Sequence, residues 1–450
     1  RTQFKANRAL RVRFTPVRYR PSPPAAERYR SPELKEMDEA IKIMRAQLRG
    51  NQTLLEDTAA YFGCALTAQK PRKVPVTPNG HVIGDHIIFR EREDKYVLVG
   101  RAPTSNWLMF CAAYGNWNVR IKYDPRSPSR PEGERVLRTH YRYQTQGPLA
   151  PAIFEKMNGG PVPDIKFFHV DWINVGNKKV QALRHGMSGA PGLEIWGPYE
   201  DKSYILNTIL EAAKDAGVDI VRCGSRAYST NTLESGWIPS PLPAIYTGEA
   251  MKGYREWLPA TSFEAVCSVG GSFQPDNVEE FYLTPWDLDY GRVVKFDHDF
   301  IGKEALEKMA NEDHRTKVTL VWNKDDVLKI FAGMMDEFPA PKMMELPTGN
   351  YAAHPYDQVL LEGKMVGIST YPVYSANERA WISLAMVRSD LAEQGTKLDI
   401  LWGEANGGTE NRSSESRACR LIKISMRIIP KLPATIAGVV CFRCHASNRF

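Results

Sequence analysis

Residues 184–196 read Arg184-His-Gly-Met-Ser-Gly-Ala-Pro-Gly-Leu-Glu194-Ile-Trp196, a turn followed by a strand that contains one charged side chain. Glycine and proline favour the turn, and the apolar residues after them are typical of a strand. Glu194 is then a carboxylate inside an apolar strand. Such a group either has a structural partner or recognises a ligand. The two parallel N–H donors of a 2-amino-4-oxopyrimidine edge, as in a pterin, suit a carboxylate.

A second polar segment runs from Cys223 to Trp237 and reads CGSRAYSTNTLESGW. Its small and hydroxyl-bearing residues predict a loop. Within this loop Tyr228 is either a structural residue held by hydrogen bonds or a general acid. The pKa of a free phenol is about 10, close to that of another phenol acting as a leaving group. Such a match of pKa values favours proton transfer.

The flanking segments alternate irregularly between helical and strand patterns, which favours an α+β fold over a doubly wound sheet. Two helices are predicted, one over Ser105–Tyr114 with Ser105 as cap and Gly115 as end, and one through Ile205, Leu206, Ile209, Leu210 and Ala213 that ends at Gly217. A further helix is predicted over residues 33–48. The predicted β elements are a hairpin over His81–Val99 and strands through Val119, Ile121 and Tyr123, at Val218–Arg222, through Val318, Leu320 and Trp322, and at Leu398–Trp402.

Composition excludes several classes of protein. The chain has 450 residues, of which 43% are hydrophobic, as in globular proteins of two or three domains. The net charge is +7, but the basic excess lies at the two ends rather than in stripes on folded elements, so we predict no nucleic-acid partner. No apolar run approaches the roughly 18 residues that cross a bilayer, so we predict no membrane partner. The seven scattered cysteines favour a reducing, cytoplasmic location.

Several longer strings carry a family resemblance: Val74–Asp85, Gly100–Pro103, Arg126–Pro131, Arg184–Glu200, Gly224–Leu242, Tyr254–Pro259, Lys295–Leu306 and Leu401–Thr409. Over residues 45–409 the chain resembles the tetrahydrofolate-dependent aromatic O-demethylases, within the superfamily of the glycine-cleavage T protein (aminomethyltransferase). The resemblance implies a three-domain α+β architecture around a central folate funnel. It places the first part of a folate-binding domain at 45–135, a second α+β domain with the rest of the folate-binding region at 136–310, and a β-rich C-terminal domain at 311–409.

The resemblance also implies a site and a reaction. Tyr228 matches the tyrosine that protonates the leaving oxygen, directly or through water. Arg101 matches an arginine suited to the carboxylate of an aromatic acid. Glu194, Gln144 and Trp237 match positions that hold the folate. The implied cofactor is tetrahydrofolate, with no metal, and the small-molecule partner is a methoxylated aromatic acid such as vanillate or 3-O-methylgallate. The implied products are 5-methyltetrahydrofolate and a phenol.

The two ends depart from the family pattern. Members carry a Gln-x-His-His-Met type of segment near the N-terminus, whereas residues 36–44 read EMDEAIKIM and contain no histidine. We therefore interpret residues 1–44 as a divergent, disordered arm and residues 410–450 as an unmatched, featureless basic tail. The Cys441-Phe-Arg-Cys444-His445 motif in this tail has the spacing of a haem attachment site, which we interpret as coincidence. Two alternatives stay open: a related folate methyltransferase with a non-aromatic donor, and an inactive folate-binding protein.

Overall fold

The computed structural model describes residues 72–92, 95–115, 119–123, 140–186, 190–223, 225–239, 241–336, 341–349, 352–404, 422–429 and 439–443. The predicted helix over 33–48 and the arm at 1–44 lie outside these residues. None of the helices among them combines the length and the apolar character that crossing a bilayer requires.

The described residues form eight α-helices and sixteen strands. The helices are α1 (Ala102–Tyr114), α2 (Ala150–Asn158), α3 (Lys202–Asp215), α4 (Ser225–Glu234), α5 (Lys252–Trp257), α6 (Phe263–Val266), α7 (Lys303–Met309) and α8 (Lys324–Gly333). The strands are β1 (Arg72–Lys73), β2 (His86–Arg92), β3 (Lys95–Gly100), β4 (His140–Gln146), β5 (Val170–Val175), β6 (Lys178–Leu183), β7 (Gly192–Pro198), β8 (Ile220–Cys223), β9 (Val269–Gly270), β10 (Thr316–Trp322), β11 (His354–Leu361), β12 (Lys364–Ser375), β13 (Ala380–Val387), β14 (Lys397–Trp402), β15 (Ile422–Ile429) and β16 (Val439–Arg443).

These elements confirm the α+β prediction. The strands form a three-stranded sheet, β1-β2-β3, a six-stranded sheet in the order β5-β6-β7-β4-β16-β8, and a seven-stranded sheet in the order β12-β13-β10-β15-β14-β11-β9. Most of the pairings between neighbouring strands are antiparallel, and the helices pack on the sheets instead of alternating with parallel strands.

The first helix corrects one predicted boundary. The hairpin is confirmed as β2 and β3, but α1 begins at Ala102, with Arg101 as its N-cap, three residues before the predicted start at Ser105. Pro103 explains the early start, because a proline in the first turn lacks only an N–H that has no intrahelical partner. The predicted end at Gly115 is confirmed, since its N–H donates to the carbonyl of Cys111 at 2.9 Å.

The predicted strand through Val119, Ile121 and Tyr123 is wrong. Residues 119–123 have no regular secondary structure, and these three side chains are exposed. Apolar and polar residues do alternate here, but this segment pairs with no strand among the described residues. A segment without a pairing partner does not form a stable strand.

Residues 410–450 contribute two strands, so the interpretation of this segment as featureless is wrong. β15 lies between β10 and β14, and β16 lies between β4 and β8. The missed signal is the alternation in β15, where Ile422, Ile424, Met426 and Ile428 are separated by polar residues. Met426 and Ile428 are buried in the core of the C-terminal sheet. Cys444 and His445 lie outside the described residues.

The six-stranded sheet has two different faces. Tyr143 and Ile195 belong to the face that packs on α2 and α3, where they join a core of buried apolar side chains including Ile153, Phe154, Ile205 and Ile209. Because side chains alternate along a strand, the neighbouring residues Gln144, Glu194 and Trp196 lie on the opposite face. This second face is where the polar residues singled out in the sequence are found.

Candidate functional site

Glu194 and Gln144 lie side by side. They form a cross-strand pair between β7 and β4, and both side chains are buried, with 2% and 0% of their surface exposed. The same row continues across the sheet from Gln144 to Phe442 of β16 and then to Cys223 of β8. Glu194 is therefore three strand spacings from Cys223, at about 4.8 Å for each spacing. Cys223 lies two positions before Ser225, the first residue of α4.

Two cationic or proton-donating side chains hold the carboxylate of Glu194. The guanidinium of Arg142 forms an ion pair with Oε1, and Nε2 of His185 lies 2.5 Å from Oε2. Burial by itself would raise the pKa of Glu194, but Arg142 and His185 outweigh it and lower the pKa to about 2. The side chain is therefore a buried carboxylate that stays ionised throughout the physiological range, and the structural pairing considered in the sequence analysis is present.

Two glutamines surround the same histidine. Nε2 of Gln144 lies 3.4 Å from Nε2 of His185, and Nε2 of Gln146 donates to the backbone carbonyl of His185 at 3.0 Å. The amide oxygen of Gln146 is buried and, within the described part of the chain, accepts no hydrogen bond. Since buried polar groups are normally paired, this unpaired oxygen next to an ionised carboxylate fits a ligand that carries several N–H donors, such as a pterin.

An aromatic wall borders the carboxylate. The rings of Phe89 and Trp196 lie 3.9 Å apart, and the guanidinium of Arg142 lies 5.5 Å from the centre of the Phe89 ring. Both aromatic side chains are buried, and the indole N–H of Trp196 has no acceptor among the described residues. The wall therefore supplies both an apolar surface and a second unpaired polar atom beside Glu194.

Trp237 is held by a different carboxylate. Its indole N–H donates to Oδ2 of Asp85 at 3.0 Å, and the hydroxyl of Tyr290 donates to the same oxygen at 3.1 Å. Asp85 directly precedes β2, the strand that carries Phe89. At about 3.3 Å per residue, the four positions from Asp85 to Phe89 span about 13 Å, so β2 connects the surroundings of Trp237 with those of Glu194.

Arg101 lies at the end of the same hairpin, at the N-cap of α1, and is half-buried. Its neighbour Gly100 pairs with His86, the first residue of β2. The guanidinium of Arg101 also acts on Tyr371: burial raises the pKa of this phenol to about 12, and Arg101 opposes the shift. Arg101 thus lies between the start of β2 and the C-terminal sheet, on the side of the molecule that Trp237 also occupies.

Tyr228 lies on a helix, so the predicted loop is wrong at this point. α4 covers Ser225–Glu234, and the backbone carbonyl of Tyr228 accepts a hydrogen bond from Thr232 at 2.8 Å. The sequence predicts a loop because the segment lacks the periodic apolar residues of an amphipathic helix. In the structure, Leu233 alone among the described side chains of α4 belongs to the buried apolar core. The Tyr228 residue is half-buried.

Sequence reasoning missed three residues of this site: Arg142, His185 and Asp85. Arg142 had a detectable signal, because it precedes Gln144 by two positions and so shares its face of β4. His185 and Asp85 lie inside strings that support the family resemblance, but their partners Glu194 and Trp237 are set by the tertiary structure.

The chain is similar to known proteins over the segments that carry these residues. The profile of the GCVT N-terminal domain matches residues 73–240. The chain is 47% identical over 357 residues to a syringate O-demethylase of Sphingobium sp. (strain NBRC 103272 / SYK-6), covering 79% of this chain and 76% of that protein. It is 30% identical over 339 residues to a sesamin methylene transferase of Sinomonas sp. (strain No.22), covering 72% and 71% of the two chains.

A crystal structure of glycine cleavage system aminomethyltransferase T from Bartonella henselae aligns with 84% of this chain and 81% of its own, at a TM-score of 0.48 and 15% identity. The domain match and the two relatives define the class, which is that of the T-protein type of methyltransferases. Within this class, the chain belongs to the family of tetrahydrofolate-dependent aromatic O-demethylases.

Proposed function

We propose that this protein removes the O-methyl group from a methoxylated aromatic acid and transfers it to tetrahydrofolate. The observation that carries the proposal is the buried, ionised Glu194 beside the unpaired oxygen of Gln146, in a chain that belongs to this family. When bound, tetrahydrofolate would supply N5 as the nucleophile that takes the methyl group. The methyl–oxygen bond of the substrate would break as its methyl group replaces the N5 proton, and the phenolic oxygen would need a proton in return.

Glu194, Gln144 and Trp237 are the residues that we assign to the folate. Glu194 faces N–H donors with an ionised carboxylate, a charge-assisted interaction. Arg142 contacts one oxygen of this carboxylate and His185 contacts the other, so a pterin edge would bind at the lone pairs that these two contacts leave. Phe89 and Trp196 offer an apolar surface for a flat ring.

Tyr228 and Arg101 are assigned to the aromatic substrate. Tyr228, which is half-buried, would donate its proton to the phenolic oxygen as the methyl–oxygen bond breaks. Arg101 would pair with the substrate carboxylate and so orient the ring. The substrate class includes vanillate, 3-O-methylgallate and syringate, which differ in one ring substituent; the relative from Sphingobium is named for syringate.

The test is an anaerobic incubation of the purified protein with tetrahydrofolate and each of the three acids in turn. We expect equal amounts of the demethylated phenol and 5-methyltetrahydrofolate from at least one acid, measured by chromatography. Folate binding without product from any of the three acids would contradict the proposed reaction and would identify a folate-binding homologue without demethylase activity.

A further inference from the structure

Gln146 is a buried residue close to Glu194, and the proposed function assigns no particular atom of the folate to it. Its side chain has 0% of its surface exposed. The amide nitrogen donates to the carbonyl of His185 at 3.0 Å, whereas the amide oxygen accepts no hydrogen bond from any residue that the structure describes. The orientation of the amide is set by that donor, because a flip would bring two oxygens together. A buried acceptor without a donor therefore remains on the side of the amide away from His185.

Gln146 is next to Glu194 on the polar face of the sheet. Gln146 pairs with Gly192, and Gln144 pairs with Glu194, so Gln146 and Glu194 are displaced by two positions along neighbouring strands, or about 7 Å. Gly192 leaves room for the amide: a Cβ there would lie 2.9 Å from Nε2 of Gln146 and 2.1 Å from the carbonyl oxygen of Thr145. The two backbone positions that carry these acceptors are thus separated by about the length of a fused two-ring heterocycle.

We propose that the amide oxygen of Gln146 accepts a hydrogen bond from the second, reduced ring of the bound pterin and thereby selects reduced over oxidised folate. This inference rests on the proposed function, because it needs the pyrimidine edge of the pterin at Glu194. A tetrahydropterin carries N–H groups at N5 and N8, whereas the fully oxidised pterin has bare nitrogens at both positions. An oxidised ring would face the Gln146 oxygen acceptor to acceptor, and such a buried contact is unfavourable.

The test compares anaerobic equilibrium binding of tetrahydrofolate and of oxidised folate by calorimetry. The wild-type protein should bind tetrahydrofolate more tightly. Gln146→Met, which removes the acceptor at similar volume, should lose about 10- to 100-fold in affinity for tetrahydrofolate and much less for folate, so that the preference collapses. Gln146→Glu keeps an oxygen acceptor and should retain the preference even if its stability falls.

Gln181→Met is the matched control, since Gln181 is a buried glutamine on β6, opposite Trp196; it should leave the preference unchanged. An equal loss of affinity for both folates in Gln146→Met would show a structural role for Gln146, and so would a Gln146→Glu variant that no longer prefers tetrahydrofolate. Either result would overturn this inference and leave the proposed function standing. A wild-type protein that binds both folates equally would also overturn it alone. A wild-type protein that binds neither folate would overturn the proposed function as well.

Discussion

The carboxylate of Glu234 accepts a hydrogen bond from the hydroxyl of Ser375 at 2.5 Å, although the two residues are 141 positions apart. The other carboxylate oxygen accepts from the side-chain amide of Asn377 at 2.9 Å. Glu234 is the last residue of α4, the helix that carries Tyr228, and Ser375 is the last residue of β12. The C-terminal sheet therefore holds the end of the helix that bears the proposed proton donor.

Ser375→Ala should lower the rate of demethylation more than the affinity for folate, because the end of α4 loses its hydrogen bond to Ser375 and Tyr228 shifts. Removing one partner of a buried charged hydrogen bond costs about 1–3 kcal/mol of stability, and a shift of about 1 Å costs on the order of 100-fold in rate. Steady-state kinetics and calorimetric folate binding would measure both. The control is Ser369→Ala, a change on the same strand β12 that breaks a buried hydroxyl contact with Ser383 of β13. An equal loss of rate in both variants would contradict the anchoring role.

Tyr228→Phe should lower the turnover of the aromatic acid by about 10²- to 10⁴-fold, the usual contribution of a general acid. Folate affinity should stay within about twofold, since the proposed folate contacts lie at other residues. Product formation and folate binding would be measured on the same preparation. Tyr204→Phe, which removes the hydroxyl of an exposed tyrosine, should keep wild-type turnover. Full activity in Tyr228→Phe would exclude the phenol as the proton donor.

Arg101→Ala should weaken binding of the aromatic acid by about 10- to 100-fold, which corresponds to a charged hydrogen bond of about 1.5–3 kcal/mol. Binding of the matching methoxyphenol without a carboxylate should change little, because that ligand offers no charge to the guanidinium. Inhibition constants of the two ligands would measure the contrast. Arg292→Ala is the control, since that side chain is 71% exposed. Equal losses for acid and phenol would point to an effect on the pocket instead.

Glu194→Gln should destabilise the protein at neutral pH by about 3–5 kcal/mol, because it leaves the cationic Arg142 without its buried partner. The pKa of Glu194 is lowered from 4.5 to about 2. Between these values the unfolded chain binds more protons than the folded one, so the contribution of Glu194 to stability is present above pH 4.5 and is lost as the pH falls toward 2. Urea unfolding at pH 7 and pH 3.5 should therefore show a smaller difference between variant and wild type at the lower pH. A constant difference would contradict the ionised pair.

Asp357→Asn should show the opposite dependence on pH. Burial raises the pKa of Asp357 from 3.8 to about 6, although Lys342 and the N–H of Ser272 oppose the shift and Glu404 adds to it. The folded protein holds this proton more tightly than the unfolded chain, so the contribution of Asp357 to stability is present below pH 3.8 and is lost as the pH rises toward 6. The variant should gain stability relative to wild type from pH 4 to pH 6 in urea unfolding. Asp276→Asn, at an exposed position, should show no such trend.

Local patterns in the sequence were sufficient for the elements that depend on near neighbours. The hairpin of β2 and β3, the apolar face of α3 and the strand around Glu194 follow from hydrophobic periodicity and turn residues. Tyr228 was placed in a loop instead of a helix because α4 lacks that periodicity. The strings that resemble the O-demethylases also indicated the family and the residues to inspect.

Only the tertiary structure decided what those residues contact. The alternation of side chains along a strand predicts which face each residue occupies, but not which strands become neighbours. The pairing of Glu194 with Arg142, and the insertion of β15 and β16 into two different sheets, depend on chain segments that lie far apart in sequence. Trp237 and Asp85 are 152 positions apart, yet they share a hydrogen bond. Such contacts form because distant strands and helices bury their apolar faces together, and the polar groups on the remaining faces then find the partners that this packing brings within reach.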